Sequence, residues 1–152
     1  MGNRAVITNS KRQIGIYLHW NGGPESICAF LTYAKAYGIR TPEGDSQYCF
    51  ARLTQIIGNF FGGTCSVGID VYEHLDTDNG DNGVYIVDNE FNVPVRLFCP
   101  AGVEKYKESY MREFLKELDK RMGDKGVEDK KILDTIEFVK VRGLEIIKGE
   151  QK

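Results

Sequence analysis

The sequence predicts an α+β domain: an antiparallel sheet of four to five strands, packed by helices, with a helical region at the C-terminal end. Three observations predict it. Short β-rich runs with a period of two flank the first 100 residues, two apolar stripes of helical period lie between them, and an amphipathic, densely charged stretch follows residue 101. The resulting order, ββααβββαα, differs from the alternating βαβ plan of nucleotide-binding parallel sheets.

Arg4 to Thr8 and Ile14 to Trp20 are the first two strands, and the short polar break Asn9 to Gln13 makes them a hairpin. Gly22-Gly23-Pro24 closes the second strand and opens a helix, because proline suits a first helical turn. Ile27, Phe30, Leu31 and Ala34 share one face of that helix, and Gly38 is its stop. Asp45 is the expected N-cap of a second helix, whose stripe runs through Cys49, Leu53, Ile56, Ile57 and Phe60 to Gly62-Gly63. Ser66 to His74 alternates as a strand. The turn-rich segment Asp78 to Gly83 then returns Val84 to Val87 as its expected hairpin partner. Val93 to Phe98 adds an edge strand, the only kind that tolerates Pro94. Val103, Tyr106, Tyr110, Phe114, Leu118 and Met122 define a third helix ending at Gly123. Ile132, Leu133, Ile136 and Val139 make a shorter stripe, followed by the apolar patch Leu144-Ile146-Ile147.

The chain has 152 residues, one ordinary domain, with an aromatic-rich body over 1–100 and a charged helical region over 101–152. With 41 % hydrophobic and 28 % charged residues, the composition excludes a disordered chain. No apolar run approaches the roughly 20 residues of a membrane span. The opening Met1-Gly2-Asn3-Arg4-Ala5 carries no signal-peptide core, so the expectation is a cytoplasmic protein. With a net charge of −2 the chain lacks the bulk positive field of a nucleic-acid binder, so no nucleic-acid partner is expected. Between Arg52 and Arg96 there is no Lys or Arg, while Asp70, Glu73, Asp76, Asp78, Asp81, Asp88 and Glu90 fall in that gap. Cys28, Cys49, Cys65 and Cys99 form no CxxC pair, so free buried thiols are expected and no metal site or cofactor is assigned. The two C-terminal stripes with Leu144, Ile146 and Ile147 exceed one packing face, which suggests a homodimer.

The segment His19-Trp20-Asn21-Gly22-Gly23-Pro24-Glu25 carries the most suggestive chemistry. Glycine amides at a helix start favour an anion. Trp20 offers a face for stacking on a base or sugar, and His19 a donor to phosphate. The structural alternative is that His19 and Trp20 are core side chains and the glycines only turn the chain. Arg52, near the apolar face of the second helix, is the expected anion clamp; the alternative is a salt bridge to Glu25, Asp70 or another acid of the body. Asp76 to Gly83 has acids at alternate positions, but the twelfth position is Val87 where a calcium loop needs Glu, so it reads as a hairpin loop. Only two histidines, His19 and His74, are present, and neither GxSxG nor HExxH occurs, so no catalytic residue is assigned.

The segments Gly2-Asn3-Arg4-Ala5-Val6-Ile7, His19-Trp20-Asn21-Gly22-Gly23, Asn59-Phe60-Phe61-Gly62-Gly63, Ser66-Val67-Gly68-Ile69 and Asp78-Asn79-Gly80-Asp81-Asn82-Gly83-Val84-Tyr85 together resemble a family of small uncharacterised proteins encoded by phages, prophages and mobile elements of Gram-positive bacteria. The resemblance covers roughly residues 1–100 and brings no catalytic residue. It implies a small cytosolic accessory protein that blunts host defences. Three readings follow from it: capture of a small phosphorylated signal such as a cyclic nucleotide, with His19, Trp20, Asn21, Gly22, Gly23 and Arg52 as the site; masking of a host defence protein through the acidic 70–90 face or the C-terminal helices; and a small hydrolase using His19.

Overall fold

A computed structural model describes residues 2–148, so residues 149–152 of the expected C-terminal region lie outside the description. Strands β1 (Ala5–Thr8) and β2 (Ile14–Leu18) form the expected antiparallel hairpin. Helices α1 (Pro24–Tyr37) and α2 (Ser46–Phe61) follow where the sequence places them. Gly38 ends α1 in the left-handed conformation (φ 89°), which no β-carbon opposes, and the Asp45 side chain accepts the Tyr48 N–H at the start of α2. Strands β3 (Val67–Val71), β4 (Val84–Ile86) and β5 (Val95–Leu97) complete a five-stranded sheet of order β3-β2-β1-β4-β5.

The fold is α+β, as expected, but its strand pairing corrects two expectations. β3 and β4 do not form a hairpin: β3 pairs antiparallel with β2, and β4 pairs parallel with β1, so the sheet is mixed. The physical reason lies in the connection. Residues 72–83 do not turn back but cross the sheet, and Tyr72 and Leu75 pack on its far face over Val6, Val84 and Ile86. Arg4 anchors the crossing, its backbone N–H and Nε both donating to Asp81 Oδ2 at 3.0 and 2.7 Å. The Asn82 N–H returns to the Arg4 carbonyl. The acid-rich segment is therefore a strap tied to β1.

On the opposite face Ala5, Ile7, Ile16, Leu18 and Tyr85 meet α1 and α2. α1 is buried on almost every side because α3 (Glu108–Met122) packs against it from outside. Two polar side chains of α1 hold the C-terminal segment: Cys28 Sγ donates to the Val139 carbonyl at 3.3 Å, and Thr32 Oγ1 accepts the Val139 N–H at 3.1 Å. Burial pushes the Cys28 thiol up to about 12.

The C-terminal region is less helical than the sequence suggests. The expected helix from 103 begins at Glu108, because residues 104–107 form β6 (Glu104–Lys107). The stripe at 132–139 yields only α4 (Ile132–Thr135). The patch at 144–147 is β7 (Leu144–Ile147), paired parallel with β6 across the α3–α4 connection. Part of the apolar surface on which the homodimer expectation rests is used within the chain: Leu118, Leu133 and Val139 enter its own core, together with Met111, Leu115, Val127 and Val141, while Ile147 stays exposed. Conversely Val103 is 60 % and Tyr110 48 % exposed, so the stripe counted on them is rotated from the true buried face. All four cysteines are free; Cys28 and Cys49 are buried as expected, Cys65 is exposed and Cys99 is half-buried. No helix among the described residues is long and apolar enough to cross a membrane.

Candidate functional site

The loop after β2 is a structural junction before it is a ligand cradle. Gly22 lies against the chain's N-terminal strand: its N–H donates to the Asn3 carbonyl at 2.8 Å, its carbonyl accepts the Tyr85 hydroxyl at 2.6 Å, and an added β-carbon would collide with Asn3 and with Ala5. Gly23 is the N-cap of α1 in an extended conformation. The helix's own Glu25 carboxylate lies beside this position. Glu25 folds back so that a β-carbon on Gly23 would stand 2.6 Å from Glu25 Oε1, while Oε2 accepts the Ser26 hydroxyl at 3.2 Å. A carboxylate at this place stabilises the positive helix end and repels a second anion. The expectation that the Gly22-Gly23 amides cradle a phosphate is therefore not supported by their geometry.

His19 and Trp20 are not core side chains either. Trp20 is 46 % exposed, with the His19 ring set edge-on to it at 5.2 Å. The Tyr17 hydroxyl and His19 Nδ1 share a hydrogen bond of 3.0 Å. Asn21 takes the left-handed conformation (φ 57°), and its Nδ2 donates weakly to Ser26 Oγ at 3.4 Å. Among the described residues no acid or thiol is hydrogen-bonded to His19, so the hydrolase reading gains no dyad. His74, the other histidine, faces Asp70 at 3.5 Å on the open surface.

Arg52 stands elsewhere. It lines a cleft with Tyr37, Ile39, Gln55, Ile56, Asn59, Met122 and Lys125. Tyr37 and Ile39 lie at the C-terminal end of α1, whereas Gly23 precedes its first residue; α1 has 14 residues, so about 20 Å of helix separates Arg52 from the glycine loop. The alternative salt bridge is absent among the described residues: Arg52 pairs with neither Glu25, Asp70 nor another acid. Instead its guanidinium rests over the Tyr48 ring at 5.6 Å, beside Arg40, which covers the same ring at 5.2 Å and pairs with Asp45 at 2.8 Å.

The cleft has a volume of about 390 Å³. Tyr37 is pinned by its hydroxyl, which donates to the Lys125 carbonyl at 2.7 Å, and Asn59 Nδ2 donates to Met122 Sδ at 3.2 Å. Among the described residues Arg52 and Lys125 have no acidic partner. Two uncompensated cations thus share a cleft with the Tyr37 ring, apolar Ile39 and Ile56, and the Gln55 and Asn59 amides, a combination suited to a flat polar ring bearing an anion.

A larger groove of about 650 Å³ runs beside Arg112, Phe138 and Ile146. Its central cation is spent. Arg112 pairs with Glu108 at 3.1 Å, donates to the Ile136 carbonyl at 2.6 Å, and lies over the Phe138 ring at 4.4 Å.

Sequence reasoning found Arg52 and missed its companions. Lys125 sits in a polar turn 73 positions away, and Tyr37 lies outside the apolar stripe of the first helix. Nothing local marks either one. Comparison with protein-family models, with curated proteins and with solved structures finds no match to this chain.

Proposed function

We propose that this protein acts by non-catalytic binding, capturing a small phosphorylated ligand of the cyclic-nucleotide class in the cleft between α1, α2 and the end of α3. Arg52 and Lys125 take the phosphate, Tyr37 gives the face against which a base rests, and Gln55 and Asn59 meet its polar edge. The observation that carries this reading is that two cations without an acidic partner, Arg52 and Lys125, line one cleft together with Tyr37. In the role implied by the family resemblance, the protein works in the host cytosol as a phage or prophage accessory that withdraws a defence signal.

The test is a thermal-shift and native mass-spectrometry screen against cyclic and linear nucleotides. A ligand of this class raises the melting temperature and is retained unchanged in mass. Arg52→Ala and Lys125→Ala each abolish the shift while the unliganded melt stays within a few degrees, since both side chains are exposed. Trp20→Ala leaves the shift intact, because Trp20 belongs to the other end of α1. A ligand-induced shift that survives Arg52→Ala but is lost in Trp20→Ala overturns the assignment.

A further inference from the structure

β3 and β5 are the two edges of the five-stranded sheet; residues beside β5 meet the C-terminal segment at Val141 and Arg142, whereas β3 pairs on one side only, with β2. Its hydrogen-bonding pattern can be read from the register. His19 N–H donates to the Ser66 carbonyl and Tyr72 N–H to the Gln13 carbonyl, so the pairs 19↔66, 17↔68, 15↔70 and 13↔72 face inward. The N–H and C=O groups of Val67, Ile69 and Val71 consequently point outward, away from β2. On the helix-side face Val67 is half-buried near Gly58 of α2, but α2 ends at Phe61, and Ile69 and Val71 are left 48 % and 45 % exposed.

Acidic side chains predominate along this edge, with Arg4 beside Asp76 and His74 beside Asp70 as their partners. Asp70 projects to the other face of the strand, and Glu73, Asp76 and Asp78 follow in the strap, all exposed, in a stretch without Lys or Arg. Asp70 Oδ1 folds onto the outward Val71 N–H at 2.7 Å, a carboxylate guard of the kind that blunts open edges. Because both Asp70 and the strap are acidic, a second copy of this strand would bring like charges together, whereas a basic strand would release the guard by drawing Asp70 onto its own cations.

We propose that β3 is a docking edge for an extended segment of a partner protein in which apolar and basic residues alternate. Such a segment continues the sheet by strand addition. Its apolar side chains cover Ile69 and Val71, and its Lys or Arg side chains, on the opposite face, meet Asp70 and Glu73. The period of two in the strand sets the alternation. This surface is separate from the Arg52 cleft and does not depend on it.

The experiment uses three end-capped nine-residue peptides: alternating Val and Lys, the same composition with the lysines grouped, and alternating Val and Glu. Binding is read by fluorescence anisotropy and by backbone amide shifts. The alternating basic peptide binds, perturbs the Val67, Ile69 and Val71 amides, and weakens as salt rises. Ile69→Pro removes an outward donor without touching the β2 ladder and lowers affinity about tenfold. Should Ile69→Pro melt differently from the parent, Asp70→Lys with Glu73→Lys serves instead and reverses the preference toward the acidic peptide. Arg52→Ala binds like the parent. Equal binding of the grouped-lysine peptide, or shifts confined to other residues, overturns the proposal. A self-association abolished by Ile69→Pro also overturns it, by assigning the edge to a second copy.

Discussion

Asp119 joins three parts of the chain through one carboxylate. Its Oδ1 accepts the Tyr33 hydroxyl of α1 at 2.8 Å and the Val127 N–H at 2.9 Å, and its Oδ2 faces Lys130 at 2.8 Å. Burial by itself raises the Asp119 pKa, but the donors from Lys130, Tyr33 and Val127 outweigh it and hold the carboxyl below its ordinary range. The folded value lies below the unfolded one, so this stabilisation is complete above about pH 4 and is lost as pH falls through the folded value. Asp119→Asn is therefore expected to melt below the parent at neutral pH, with the two melts converging in acid. Asp119→Ala leaves two buried donors without an acceptor and is expected to cost about 3 kcal/mol by chemical denaturation. Lys130→Ala is expected to cost less than about 1 kcal/mol, because the lysine is mostly in solvent. At Gly22, where a β-carbon meets Asn3 and Ala5, Gly22→Ala is expected to cost about 1–3 kcal/mol of overpacking whether or not any ligand is present.

Helix α3 shows why an apolar stripe read from sequence can be right in period and wrong in phase. Phe114 lies edge-on to Phe30 at 6.0 Å and stacks on Phe60 at 5.4 Å, yet it remains half-buried at the rim. Leu115, absent from the expected stripe, is fully buried together with Met111. Leu115→Ala is accordingly expected to cost about 2–5 kcal/mol, and Phe114→Ala less than Leu115→Ala, since part of its ring already meets water. Urea unfolding of the two variants orders them; the reverse order would mean that α3 presents its aromatic side to the core. The same element explains the misplaced helix start. Tyr106 fits the helical period, but Glu104 to Lys107 pair with β7, a partner 40 residues onward that no local pattern announces.

At the scale of the molecule, residues 127–141 contribute to the core. Val127, Leu133, Val139 and Val141 are buried, and Val93 bridges in parallel to Val141. Arg96 adds a latch: it lies over the Tyr85 ring at 4.2 Å while donating to the carbonyls of Arg142 and Asn82. Deleting residues 127–152 is thus expected to abolish cooperative unfolding rather than trim an appendage. Calorimetry of the truncated chain checks this; a sharp transition near that of the full chain would show that the body folds alone.

The elements whose signals are local were legible from the sequence alone. The β1–β2 hairpin follows from a short polar break, α1 from Pro24 and Gly38, and α2 from Asp45 and its stripe, because turn chemistry, capping and periodicity act within a few residues. Tertiary structure alone decided which strands β3 and β4 meet. The segment 72–83 has the composition of a hairpin turn, but burying Tyr72 and Leu75 on the bare face of the sheet and pairing Arg4 with Asp81 carry it across to β1 instead. The same holds for the candidate site. Arg52 stood out as a cation beside an apolar stripe, whereas its distance from Trp20 is set by the length of α1 and its nearness to Lys125 by the packing of α3. Side chains far apart in the chain become neighbours through the burial of surfaces that each element cannot cover alone, and that choice is made only when all the elements are packed together.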